Sequence, residues 1–181
     1  MGETQNKELA MKNILVKAAL VAVFGATGTI SAWKAADTGN PGMVKALMVQ
    51  GNVRIEQPDG VVTPLQRGAS FAQGSTVLTD GGSAALLIFS NGAAVRVAPR
   101  SEVAVKEFVQ ASFDTKSDGT FLRLHQDPSR SNVVLELRQG ALAAATKRLN
   151  QQAGSTFVVE TPMGNLNVRN ALNVATRATA G

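Results

Sequence analysis

Residues 76–99 read TVLTDGGSAALLIFSNGAAVRVAP, with Gly81-Gly82 on one side of a hydrophobic run and Asn91-Gly92 on the other. Two-residue hairpin turns need positive φ at their central residues, and Gly-Gly and Asn-Gly meet that requirement with the least strain. The stretch is therefore expected to form three short strands folded back on one another. Within the run, Ala84, Leu86 and Ile88 alternate with Ala85, Leu87 and Phe89, so both alternating sets are apolar. That pattern implies burial on both faces, as in the middle of a sandwich or roll. Such a stretch holds a sheet together and carries no chemistry of its own.

Similar signals recur on either side. Residues 44–50 and 52–57 give two strands around Gly51, the second with Val53 and Ile55 alternating with Asn52, Arg54 and Glu56. Pro58-Asp59-Gly60 turns the chain into residues 61–63, which Pro64 confines to an edge or an end. Residues 66–75 read as a loop with a short extended piece at 69–71. Beyond Pro99, residues 102–109 form a strand with a bulge near Glu107-Phe108. Residues 110–132 are a long polar excursion, and residues 133–138 alternate cleanly. Gln139-Gly140 reads as a turn into residues 141–146, whose alanines would equally allow a helical turn as far as Asn150. Residues 156–161 and 166–169 make a last hairpin across Pro162-Met163-Gly164. Structural turns are thus assigned to Gly81, Gly82, Asn91, Gly92, Gly140 and Gly164. About ten to twelve short, mostly antiparallel strands at spacings of about 8 to 12 residues predict an all-β sandwich or roll.

An N-terminal signal or anchor helix is expected ahead of this domain. Residues 14–28 (ILVKAALVAVFGATG) are apolar apart from Lys17, and Lys12 lies just before them. A positive start, an apolar centre of about 11 to 15 residues and small residues beyond it describe a secretory signal peptide better than a spanning helix. Met11-Lys12-Asn13 looks like the natural opening of such a peptide, which makes residues 1–10 an over-extended start. Small residues allow cleavage after Gly28 or after Ala32. The competing reading is an uncleaved anchor ending near Trp33. In both readings the remainder is expected outside the cytoplasm, periplasmic or secreted. The expected division is a signal segment at 1–36, a linker at 37–42, a β domain at 43–170 and a weakly patterned tail at 171–181, truncation of the frame being left open.

Composition narrows the chemistry. There is no Cys among the 181 residues, which removes thiolate catalysis, disulfides and most zinc sites. The net charge of +5 falls to +3 from Asp37 onward, where 14 Lys and Arg stand against 11 Asp and Glu. A chain with one Trp, no Tyr and so small an excess is not expected to bind nucleic acid. Asp114-Thr-Lys-Ser-Asp118-Gly119 has the outline of a calcium loop, but Lys116 occupies the third ligand position and His125 the twelfth. His125, the one His, is read as a solvated loop residue rather than the partner of Asp127. No strained Gly-x-Ser-x-Gly turn or phosphate-cradling loop is present. Neither catalysis, cofactor nor metal is expected. Outward basic residues, chiefly Arg54, Arg96, Arg138 and Arg169 with Arg123, Lys147 and Arg148, read first as a solvated face. Their functional alternative is a face for an acidic envelope protein or an anionic envelope polymer.

Gly51-Asn-Val-Arg-Ile, Pro64-Leu65 with Gly68, Gly74-Ser-Thr-Val-Leu-Thr79, Ala85-Leu-Leu87, Asn91-Gly92, Val95-Arg-Val-Ala-Pro99, Leu137-Arg-Gln-Gly140 and Phe157-Val-Val-Glu-Thr-Pro-Met-Gly164 together resemble the FecR domain. The resemblance covers residues 44–169. It implies an all-β extracytoplasmic domain which, in the best-known members, belongs to an iron-siderophore relay with a cytoplasmic anti-sigma segment, one membrane span and an added module. Against that pattern, about a dozen residues precede the hydrophobic segment in the sequence, so neither an anti-sigma segment nor an added module is expected, and Asn170-Ala171-Leu172 stands where the family continues with Gly-Thr and an aromatic residue. The expectation is an exported, non-catalytic binding module of the envelope. The alternative is a membrane-tethered regulator of sigma-factor signalling linked to iron-siderophore uptake, attached to the membrane only through its N-terminal helix.

Overall fold

The structure is a computed structural model that describes residues 39–113, 123–169 and 174–178, with side chains described as far as Arg169. The expected signal segment lies outside these residues. Among the described residues no helix is long and apolar enough to cross a membrane.

The longest strand sets the architecture. Val133, Leu135 and Leu137 alternate inward along β10 (Ser131–Ala145), and Leu142 and Ala144 continue the buried set beyond Gly140. The turn expected at Gln139-Gly140 does not form. Gly140 takes a φ of 83° inside a continuous strand, and the pairing register shifts between Leu137 and Gln139. A Cβ at this position would stand 2.3 Å from Ser101 Oγ and 2.4 Å from the Arg100 carbonyl oxygen. Glycine therefore lets the strand bend against its neighbour, and the bend carries β10 from one half of the sheet into the other. The Ala141 amide donates to Ser101 Oγ at 2.9 Å, which pins the bend.

In the first half the order is β4 (Val62–Pro64), β3 (Val53–Glu56), β6 (Thr76–Thr79), β9 (Ser101–Gln110), β10, β11 (Thr156–Thr161) and β12 (Gly164–Asn167). The short β1 (Asn40–Pro41) also pairs with β9. In the second half the order is β5 (Ser70–Phe71), β2 (Val44–Gln50), β7 (Ala84–Phe89), β8 (Ala94–Val97) and β10, with β13 (Val174–Ala178) on the far side of β10. The thirteen strands among the described residues thus make one curled sheet, their ladders antiparallel except for β10 with β11. The all-β expectation holds. The halves meet through Phe89 of β7, whose ring centroid lies 5.3 Å from that of Phe108 on β9 and 6.1 Å from that of Phe157 on β11.

Four local expectations are corrected. β6 and β7 do not fold back on each other: β6 is paired by β3 and β9, and β7 by β2 and β8. With both edges of each strand filled, Gly81-Gly82 carries a crossover between the halves. The β7–β8 hairpin forms, but its turn is longer than two residues. The Gly92 amide donates to the Phe89 carbonyl at 2.8 Å, and only Gly92 of the Asn-Gly pair has positive φ. Asn91 works through its side chain, whose Oδ1 accepts the Ala93 amide at 3.0 Å. The bulge in β9 falls at Lys106, because Glu107 opposes Val134 while Val105 opposes Leu135. Strands also occur at β1, in the expected linker, and at β13, in the expected tail, where pairing partners far along the chain supply the order that local sequence does not.

Candidate binding cleft

Loops 123–130 and 146–155 run side by side because their backbones pair. The Asp127 amide donates to the Arg148 carbonyl at 2.9 Å, next to a parallel bridge between Gln126 and Arg148. The second loop closes on itself: the Ser155 amide reaches the Asn150 carbonyl at 3.0 Å, and the Ala153 amide reaches Asn150 Oδ1 at 3.1 Å. Between these loops and the end of β12 opens a cleft of about 580 Å³, lined by Gln126, Asp127, Arg148, Asn150, Gln151 and Arg169 among others. A second cavity of about 220 Å³ adjoins it, sharing Leu149, Gln151 and Arg169 and extending to Asn167.

Asp127 is the residue that sequence reasoning misjudged. His125 is exposed as expected, but Asp127 two residues on is 1% exposed. A hydrogen-bonded chain holds it. Asn91 Nδ2 donates to Ser131 Oγ at 3.1 Å, and Ser131 Oγ donates to Asp127 Oδ2 at 2.7 Å. The Ser131 amide is taken up by Ser155 Oγ at 3.0 Å, tying in the second loop. Asp127 Oδ1 is buried and has no hydrogen-bond partner. The tip of the β7–β8 hairpin packs on the same region, since a Cβ on Gly92 would lie 3.0 Å from Lys147 Cγ and 3.2 Å from Leu124 Cβ. No sequence signal pointed to the burial of Asp127: Asn91 was read as a positive-φ turn residue, and its other φ and the reach of its amide to Ser131 are given by the structure alone.

The basic residues singled out from sequence are dispersed. Arg54 pairs with Asp80 at 2.9 Å. Arg138 pairs with Glu102 at 3.0 Å and with Glu136 at 2.9 Å, and these hydrogen bonds, Glu136 first, hold its guanidinium above its ordinary pKa. Lys106 makes a comparable 2.7 Å pair with Glu160, whose hydrogen bond raises the ammonium above its usual range. These residues form a charge-paired outer face on the first half of the sheet. Arg96 is exposed on β8 in the second half, apart from that face. Arg169 lines the cleft, where Arg148 joins it. Gly164 opens β12 as the hairpin glycine, with a φ of 135°. Asp114, Lys116 and Asp118 lie outside the described residues.

A family model described as FecR protein matches residues 75–180, more than half of the chain. The match runs through β13, whereas the resemblance read from sequence ended at Arg169. No curated protein and no solved structure matches the chain.

Proposed function

The chain belongs to the FecR family, and from that premise we infer that it is an exported, non-catalytic binding module of the cell envelope that recognises a partner by strand addition. The observation that carries this reading is the open edge at β12. In its ladder with β11, Val159 opposes Leu166 and Thr161 opposes Gly164, and the Val168 amide donates to the Phe157 carbonyl at 2.8 Å. Alternation along an antiparallel strand then turns the backbone groups of Asn165 and Asn167 away from β11. Both residues are exposed, and β12 has no other strand partner among the described residues. Met163, 87% exposed at the hairpin tip, adds an apolar anchor.

The other candidate edge, β4 around residues 61–65, is less suited. Its Thr63 opposes Ile55 and the Leu65 amide donates to Val53, so Val62 and Pro64 face outward, and Pro64 has no amide to offer. Val61 and Val62 are exposed there, but the edge is short and capped by proline, a common guard against unwanted pairing.

Retention of envelope components on the immobilised full chain tests the reading. Asn165→Pro removes an outward donor without touching the β11–β12 ladder, so the fold stays intact and retention of a specific partner is lost. Retention unchanged in N165P would remove strand addition at β12. The same family premise supports a signalling regulator if residues 14–28 remain as an anchor; intact N-terminal mass in membrane fractions favours that reading, and a mature start near residue 29 or 33 favours the exported one.

A further inference from the structure

We propose that the cleft between loops 123–130 and 146–155 is a second, independent site that takes the free ends of a short zwitterionic peptide. Its ammonium is received by Asp127 and its carboxylate by Arg148 and Arg169. Three observations converge. Asp127 is 1% exposed and lines the cleft; its Oδ2 is occupied by Ser131, while its buried Oδ1 has no donor. A buried carboxylate oxygen without a donor is unfavourable, and a cationic N–H donor is the group that satisfies it best. The chain Asn91–Ser131–Asp127 holds the carboxylate in place before any ligand arrives.

Arg148 and Arg169 line the same cleft, are exposed, and pair with no carboxylate among the described residues. They differ in this from Arg54 and Arg138, whose guanidinium groups are taken by Asp80, Glu102 and Glu136. Two cations beside one buried anion fit a ligand bearing one group of each sign. The side-chain amides of Gln126, Asn150 and Gln151 supply both donors and acceptors for a peptide bond between those ends. The volume of about 580 Å³ is in the range of small-ligand sites, and the adjoining cavity past Arg169 gives room for more than one residue. No aromatic ring lines the main cleft, which disfavours a stacked base or sugar.

Calorimetric titration of the full chain with alanyl-alanine, N-acetyl-alanyl-alanine and alanyl-alanine amide tests the site. Alanyl-alanine binds, and each capped form binds at least about tenfold more weakly. Combined Arg148→Gln and Arg169→Gln weakens alanyl-alanine by a similar factor and leaves the amide unchanged, while Asp127→Asn weakens the free-amine forms selectively. If D127N fails to fold, the exposed arginine pair carries the test alone. No binding of alanyl-alanine, equal binding of the capped forms, or indifference to R148Q/R169Q overturns the proposal. None of these substitutions touches the β12 edge, so strand addition stands or falls separately through N165P.

Discussion

Phe89 and Asp127 are sealed from solvent to the same degree, at 0% and 1% exposure, yet opposite chemistry puts them there. Phe89 lies in a strand apolar on both alternating sets, between Phe108 and Phe157, and its burial follows from the hydrophobic effect acting on a pattern visible in the chain. Asp127 lies in a polar loop and is held in its buried place by the Ser131 hydroxyl, itself bonded by Asn91, at Oδ2 and by its own amide bonded to the Arg148 carbonyl. The hairpin is thus a structural centre that needs no ligand, whereas the loop pair keeps one polar atom unmet. A region left slightly incomplete in this way is where a binding function can reside.

Substitutions can break that contrast, starting with the largest effect. Phe89→Ala should cost about 3–5 kcal/mol by removing two ring contacts and leaving a cavity between the sheet halves, measurable by chemical denaturation. Gly140→Ala places a side chain against Ser101 and the Arg100 carbonyl in a left-handed conformation, and should cost about 1–3 kcal/mol from backbone strain alone. A substitution without effect there would mean that β10 does not bend against β9.

The link between the two regions is tested by Asn91→Ala and Asp127→Ala, singly and together. Asp127→Ala strips the Ser131 hydroxyl of its acceptor and should cost about 1–3 kcal/mol. The pair should fall short of additivity by about 0.5 kcal/mol or more, because both act through Ser131. Strict additivity would separate the hairpin from the cleft.

The smallest effect belongs to the charged outer face. Lys106→Gln should shift the melting temperature by no more than about 2 °C near neutral pH, since its pair with Glu160 is solvent-exposed. The Lys106 pKa is raised in the folded state, so its contribution is complete below the unfolded value and disappears as pH rises through the folded one. The difference between variant and parent should therefore persist up to about pH 10 and shrink only as the pH climbs past the raised folded value, and a difference that grows in alkali would refute this sign.

Much of the fold was legible because its signals are local. Alternation identified β2, β3, β7, β8 and β11, Pro64 marked an edge, and Gly164 marked the last hairpin. Gly140 was recognised as special but misread, because a left-handed glycine serves a turn or an in-strand bend equally well; the space beside Ser101 decides which. The cleft was scarcely legible. Asp127 and Arg148 are 21 positions apart and Arg169 another 21, with no shared spacing rule to connect them.

Taken alone, the chain determined its class: period-two alternation and glycine turns force a β-sheet, and the order of those motifs resembles one family. Tertiary structure decided which strands pair, because Gly81-Gly82 permits either a hairpin or a crossover and only competition for free strand edges selects the crossover. It also decided which polar residues are buried. A hydrogen bond made across 40 residues, as from Asn91 to Ser131, leaves no periodic trace in sequence, yet it fixes the carboxylate around which the cleft is built.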